Sequence, residues 1–214
     1  MHKLDRTPIQ APNCLGQFRH GTHNWDSLDF DERQEIRDSL EQFQGRRCAY
    51  CEASLDERGQ HIEHFRSRGD FPTLIFTWEN LFWSCDDLYH CGRFKDNGAG
   101  PYNVNDLINP ADEDPEHFLR FSSDGTIRPR SGLTAAELHR ANETLRVFNL
   151  DSTRGPLRYM RKNACMEYVT IGDDIAAIAQ QSPLEEVKSY LEMEIAATRH
   201  LPFASAIKHT LSPF

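Results

Sequence analysis

The sequence lacks three features that mark common functional classes. It has no apolar run of the ~18–20 residues that a membrane-spanning helix needs, and its first residues contain no apolar signal-peptide stretch. It also lacks an excess of positive charge, since 24 Lys and Arg stand against 33 Asp and Glu, a formal net charge of -9. These absences argue against a membrane protein and against a protein that coats nucleic acid through bulk charge. They predict a cytoplasmic location.

Cysteine is scarce outside one central segment. Of the six cysteines, four lie between residues 48 and 91, and the other two, Cys14 and Cys165, are far from these four and from each other. In a reducing compartment this pattern indicates metal binding rather than a disulfide framework. Hydrophobic residues make up 38% of the chain and charged residues 27%, so we expect a chain that folds around a buried core.

Three regions differ in their sequence patterns. Residues 1–24 carry scattered prolines and glycines and are predicted to form an extended arm. Residues 25–100 begin with a helix over 25–43 and then contain the candidate metal-binding and catalytic residues. Residues 101–214 begin with loops and a short hairpin and continue as helices, one beginning at Thr134, where Glu137 completes a capping box, and others over 153–170 and 183–199.

The four central cysteines form two short-spaced pairs. Cys48 and Cys51 have the spacing of a zinc knuckle, and Cys85 and Cys91 supply two more thiolates farther along. Zinc favours four thiolate or imidazole ligands in a tetrahedron, and four protein ligands leave no open position for water. The pattern therefore predicts a structural Zn²⁺. Because the second pair is longer than usual and His90 lies within it, His90 is an alternative to Cys91 as the fourth ligand.

The tetrapeptide His61 to His64 carries a carboxylate beside a histidine. At the end of a strand, Glu63 can bind a divalent cation while His64 takes a proton from water. Adjacent residues of an ideal strand point to opposite faces, so this division of roles requires the strand to end at this point. Asn80 follows 16 residues after His64, and its amide can bond backbone groups and orient the histidine.

Together these segments, CAYCE, HIEHF, WENLFWSC and CGRFKD, resemble the HNH, or His-Me finger, endonuclease superfamily. The similarity is greatest to the branch typified by PtuB, the nuclease of the Septu antiphage system, which also occurs beside some retrons. The motifs cover residues 46–97, about a quarter of the chain. The resemblance implies an α+β fold in which a small zinc-pinned ββα-metal core is embedded in a mostly helical chain.

The resemblance also implies roles for individual residues. It makes His64 the general base, Glu63 a ligand of the catalytic metal and Asn80 an orienting residue, and it matches the zinc ligands to Cys48, Cys51, Cys85 and Cys91.

One position departs from the family pattern. Many relatives have an Asn or His directly after the last cysteine as a second ligand of the catalytic metal, and this chain has Gly92 there. Asp96, one helical turn farther on, and His90 are the main candidates to replace that ligand, with Asp96 preferred.

The implied reaction is hydrolysis of a DNA phosphodiester bond with one Mg²⁺ or Mn²⁺. Arg66, Arg68 and Lys95 lie beside the motif and are predicted to contact phosphates of the substrate.

The acidic chain is a poor match for unaided DNA binding. The resemblance suggests a large ATPase partner of the PtuA type, with a retron reverse transcriptase and its RNA–DNA product as a further candidate, and the arm over 1–24 as a docking segment. A non-catalytic zinc module that binds protein or nucleic acid is the main alternative, and a hydrolase acting on RNA is another.

Overall fold

The computed structural model describes residues 1–212, apart from the side chain of residue 184. In chain order, the helices and strands are α1 (Phe30–Gln44), α2 (Leu55–Arg58), β1 (Gln60–His64), β2 (Leu81–Cys85), α3 (Cys91–Asn97), α4 (Pro115–Phe118), β3 (Leu119–Phe121), β4 (Ile127–Pro129), α5 (Ala135–Val147), α6 (Leu157–Ile178), α7 (Leu184–Thr198) and α8 (Ala204–Leu211). The expected α+β class is confirmed. No helix among the described residues combines the length and apolar composition that a membrane span requires.

Helix α1 begins later than the predicted boundary at residue 25. Trp25–Ser27 is a separate 3-10 turn, and α1 starts after Asp29, whose side chain forms a capping box with Glu32. The helix ends at Gly45, which has φ 63°. Its buried residues are Ile36, Leu40, Phe43 and Gln44, so α1 packs one face on the core next to β2.

The ββα core is an antiparallel pair of strands followed by α3. Glu63 pairs with Phe82 and His64 with Leu81, so the two candidate active-site residues are the last two positions of β1. Every residue of β2 is buried, so the sequence has no alternation of apolar and polar residues there and the strand was not predicted. The strand then leads through a short loop into α3.

The C-terminal region contains the predicted hairpin and helices with shifted boundaries. Strands β3 and β4 pair around Asp124-Gly125, and Thr134 caps α5 through the predicted box with Glu137. Helix α6 covers Leu157–Ile178 instead of 153–170, because Gly155 at φ 77° and Pro156 precede its first turn. Helix α8 was not predicted, and it packs mainly on α6.

The segment over residues 1–24 lies on the protein's own core. Met1, Leu4 and Leu15 are buried there. The Arg6 guanidinium stacks on aromatic rings at 4.1 to 4.6 Å from their centroids and donates a hydrogen bond to the Leu81 carbonyl. The side chains buried in this way are not free to contact a partner, so a docking role for this segment would rest on its exposed residues alone.

Candidate active site and metal centre

The four central cysteines converge in the structure. Cys48 and Cys51 lie in the turn after α1, Cys85 ends β2 and Cys91 begins α3. All four are buried free thiols, and their sulfur atoms lie within 4.8 Å of one another. Cys51 Sγ and Cys85 Sγ are 3.8 Å apart, close to the ~3.8 Å edge of a tetrahedron with zinc–sulfur bonds of ~2.3 Å. The donor set therefore fits a tetrahedral structural metal.

His90 lies against this cysteine group and away from the carboxylates. Its Nδ1 is 3.2 Å from Cys91 Sγ and 3.6 Å from Cys85 Sγ, and its Nε2 is 3.4 Å from a carboxylate oxygen of Asp87. Of the two alternatives considered for the second ligand of a catalytic cation, only Asp96 lies beside Glu63. His90 is instead a neighbour of the sulfur atoms, where four cysteines already supply a full set of ligands.

His64 ends β1 in a buried position with one ring nitrogen bonded to the backbone. Its Nε2 is 3.0 Å from the Ile75 carbonyl oxygen, a contact that requires the hydrogen on Nε2 and leaves Nδ1 as the basic atom. The ring also packs edge-on against Trp25, with centroids 4.4 Å apart. Burial lowers the pKa of His64 to about 4. The imidazole is therefore neutral near pH 7, with Nδ1 unprotonated.

Asn80 holds the loop that follows β1. Its Oδ1 accepts a hydrogen bond of 2.7 Å from the Arg66 backbone N–H. Its Nδ2 donates to the carbonyl oxygens of Arg66 and Leu74, at 3.0 and 3.2 Å. Leu74 precedes Ile75, the residue whose carbonyl holds His64. Asn80 thus holds the backbone that orients the His64 ring.

Glu63 is the centre of a small charged group on the other side of the strand end. Its Oε1 is 3.0 Å from Lys95 Nζ, and the same nitrogen is 2.5 Å from Asp96 Oδ1. Its Oε2 is 3.2 Å from His61 Nε2. Burial would raise the pKa of Glu63, but the neighbouring Lys95 charge and His61 outweigh it and hold that pKa below its ordinary value. Glu63 is therefore a carboxylate at neutral pH.

His61 was not among the predicted site residues. It lies two positions before Glu63 in β1, so both side chains point to the same face of the strand. The period-2 alternation was the signal in the sequence that could have identified it.

Gly92 is explained by the position of the Glu63 side chain. A Cβ atom at Gly92 would lie 2.4 Å from Glu63 Oε2 and 2.5 Å from its Cδ, far closer than atoms can approach. The carboxylate therefore takes up the space that any side chain at this position would need. Position 92 has room only for a glycine, and so has no ligand, because the Glu63 side chain reaches over the first turn of α3.

The face with His61, Glu63, His64 and Asp96 opens into a pocket of about 270 Å³. Four arginines also line it: Arg33, Arg37, Arg68 and Arg93. This local positive charge contrasts with the acidic chain as a whole. The two arginines from α1 were not predicted, although their spacing of four residues places them on one helix face.

The three residues predicted to contact phosphate are in different settings. Arg68 is exposed and lines the pocket. Arg66 points into a separate cavity, where its Nη2 is 3.2 Å from Asn105 Oδ1. Lys95 is buried, with its ammonium on the two carboxylates, so in this conformation it does not offer a surface contact to substrate.

Two known proteins resemble part of this chain, while no family model matches it. The chain is 30% identical over 88 residues to the Septu protein PtuB of Bacillus thuringiensis, over 40% of this chain and 32% of that protein. It is also 30% identical over 123 residues to the "Retron Vc95 putative HNH endonuclease" of Vibrio cholerae serotype O1 biovar El Tor, over 54% of this chain and 57% of that protein. The matches thus span about a third and somewhat over half of these relatives. They support a relationship between this chain and HNH nucleases.

Proposed function

We propose that this relative of Septu PtuB and of a retron-associated HNH protein is a metal-dependent HNH endonuclease that hydrolyses DNA phosphodiester bonds. The observation that carries the proposal is the end of β1. There a buried carboxylate, Glu63, and a neutral histidine, His64, follow each other and line one arginine-rich pocket. A module that only binds its partner has no need for this pair.

In the proposed mechanism His64 is the general base. Its Nε2–H is held by the Ile75 carbonyl, so Nδ1 receives the proton of the attacking water. The arginines of the pocket bind the phosphate backbone and place the scissile bond in front of this nitrogen. Asn80 keeps the loop behind the imidazole in place.

Glu63 and Asp96 are the residues that would hold a Mg²⁺ or Mn²⁺, since both ions prefer oxygen ligands. Glu63 fits this role because it is a buried carboxylate whose Oε1 already has a positive charge beside it, the Lys95 ammonium at 3.0 Å. When bound, such a cation supplies stabilisation of the charge that develops on the phosphate and the leaving oxygen.

The cysteine group is proposed to bind a structural Zn²⁺. It joins three pieces of chain, namely the turn after α1, the end of β2 and the first residue of α3. Glu63 lies on the strand paired with β2, and Asp96 lies on α3. A metal that links β2 to α3 would thereby fix the positions of the two carboxylates relative to each other.

The net charge of -9 makes bulk attraction to DNA weak, so we propose that the chain acts inside an antiphage defence complex. The names of its relatives, a Septu protein and a retron protein, support this setting. An ATPase of the PtuA type is the proposed partner, and a retron reverse transcriptase with its RNA–DNA product is the second candidate.

The test is cleavage of plasmid, single-stranded DNA and RNA in Mg²⁺ or Mn²⁺ by the wild type and by His64→Ala. We expect loss of the general base to lower the rate by about 10²- to 10⁴-fold with the zinc content and circular dichroism unchanged. His139→Ala is the matched control, since this histidine is exposed on α5 and pairs with Asp106. Cleavage by His64→Ala at the wild-type rate would contradict the proposal, and failure of the wild type to cut any substrate, even with its partner, would favour the zinc-module alternative.

A further inference from the structure

Lys95 is a fully buried lysine whose positive charge is paired with two neighbouring carboxylates. Its side chain has 0% exposure, and its Nζ lies between Glu63 Oε1 at 3.0 Å and Asp96 Oδ1 at 2.5 Å. Lysine is almost never fully buried unless it is paired. Two carboxylate oxygens lie against its Nζ, so the side chain is a cation in this position.

The ammonium is positioned where a divalent cation would be needed. Glu63 and Asp96 both direct an oxygen at Nζ, and these are the two carboxylates proposed to hold Mg²⁺ or Mn²⁺. The contact with Glu63 is a buried ion pair of 3.0 Å. A small divalent cation would compete with the ammonium for this oxygen.

The oxygen and nitrogen atoms at this end of β1 are too far apart to bind one metal ion together in this conformation. Within the part of the chain that the structure describes, only the four cysteines bring three or more metal-binding atoms into mutual reach. His61, Glu63 and Asp96 do not, although Glu63 contacts His61 directly and shares Lys95 with Asp96. The lysine therefore takes the central place among these groups and keeps the carboxylates satisfied without a metal.

A second cavity gives the lysine a place to go. Lys95 and Asp96 both line an open cavity of about 930 Å³, together with Arg68 and Tyr102. A flexible four-carbon side chain can move its ammonium into this space while its α3 backbone stays fixed. Asp70 also lines this cavity, so the displaced ammonium would have a carboxylate near it there.

We propose that Lys95 is a built-in counter-cation that occupies the position of the catalytic metal, and that a divalent ion binds only by displacing its ammonium from Glu63 and Asp96. This inference rests on the proposed function for the identity of the two carboxylates. It assigns Lys95 a competing role, in contrast to a permanent ion pair that would fix the carboxylates for the metal. The two roles predict opposite effects of removing the lysine charge.

The experiment measures Mn²⁺ binding to zinc-loaded protein by electron paramagnetic resonance of the free ion, in the wild type and in Lys95→Met. We expect Lys95→Met to bind Mn²⁺ at least tenfold more tightly, equivalent to about 1.4 kcal/mol. Arg93→Met is the matched control. It removes one positive charge from the same pocket, but that charge pairs with Asp86 rather than with the two carboxylates, so its affinity should change less than threefold.

Two further variants cover the case in which Lys95→Met does not fold and test whether Asp96 takes part in the gain. Lys95→Gln removes the charge but retains a polar group, and it should show the same gain if Lys95→Met does not fold. Adding Asp96→Asn to Lys95→Met should abolish the gain, because one of the two released oxygens is lost. Circular dichroism and zinc content establish that each variant is folded.

Equal or weaker Mn²⁺ binding by a folded Lys95 variant would overturn the inference, since it would show that the lysine supports the carboxylates instead of competing for them. The proposed function would stand in that case if the wild type cuts DNA. Conversely, tighter binding by Lys95→Met together with a wild type that cuts no nucleic acid would overturn the proposed function and leave the displacement in place.

Discussion

Gly92→Ala should disable the site by moving Glu63. The added Cβ would lie 2.4 Å from Glu63 Oε2, 2.5 Å from Cδ and 3.0 Å from Cγ, whereas non-bonded heavy atoms pack at roughly 3.5–4.0 Å. The carboxylate must therefore move by about 1 Å. Because a displacement of about 1 Å costs about 10²-fold in rate, we expect a loss of that size in single-turnover cleavage. Mn²⁺ binding should weaken in parallel.

The expected change in stability is small, because two effects oppose each other. Overpacking a buried position costs about 1–3 kcal/mol, while Ala is favoured over Gly in a helix by up to ~1 kcal/mol. The unfolding free energy should thus fall by about 0–2 kcal/mol, and thermal unfolding followed by circular dichroism measures this. A large activity loss in a nearly unperturbed fold would locate the defect at the carboxylate.

A shorter acid at position 63 provides the control for this reasoning. Glu63→Asp withdraws the carboxylate from α3 by one methylene, so Gly92→Ala should cost much less in that background than in the wild type. Gly16→Ala serves as a neutral control, since no atom lies within 4 Å of its added Cβ. Wild-type cleavage and Mn²⁺ binding by Gly92→Ala would refute the predicted clash with Glu63, and so would an equal defect with Asp at position 63.

Three further predictions concern the supporting structure. Asn80→Ala leaves the Arg66 N–H and two loop carbonyls without their partner, so the unfolding free energy should fall by about 2–4 kcal/mol with a loss of cleavage; an unchanged denaturation midpoint would contradict this. Cys48→Ser removes one of four thiolates, so metal analysis should find the zinc content reduced from about one per chain and the melting temperature lowered; a full zinc complement at an unchanged melting temperature would show that Cys48 is not a zinc ligand. Burial lowers the pKa of His64 from its ordinary value of 6.5 to about 4, so between pH 7 and pH 5 the unfolded chain binds a proton that the native state does not. The wild type should therefore lose about 2 kcal/mol more stability than His64→Gln over this range; equal losses in urea titrations would disprove the shift.

Some features that depend only on residues close together in the sequence were predicted correctly. The knuckle spacing of Cys48 and Cys51 indicated a metal site, and the structure brings these two cysteines together with Cys85 and Cys91. The capping box at Thr134 marked the start of α5 correctly. Strand β2 was missed because all five of its residues are buried, which removes the alternation by which a half-exposed strand is predicted.

The second ligand of the proposed cation could only be ranked from the sequence, which preferred Asp96 to His90 without excluding His90. His90 and Asp96 are both close to Gly92 along the chain, and only the turn of α3 separates their surroundings: His90 contacts cysteine sulfurs and Asp96 shares Lys95 with Glu63. Lys95 itself was predicted to bind phosphate because it is basic and near the motif. Its burial depends on packing around α3, which cannot be predicted from the neighbouring residues in the sequence.

The sequence by itself determined the chemistry that this protein can carry, because the residue types are fixed by the chain: four thiols, a carboxylate beside a histidine and an asparagine 16 residues later. The tertiary structure alone decided how these groups are used. It left Nδ1 of His64 as the basic atom by bonding Nε2 to the backbone. It put the Glu63 carboxylate into the space above Gly92 and a lysine ammonium between two acids. Each of these outcomes depends on distances between segments far apart in sequence, and such distances are set by the packing of α1, the two strands and α3.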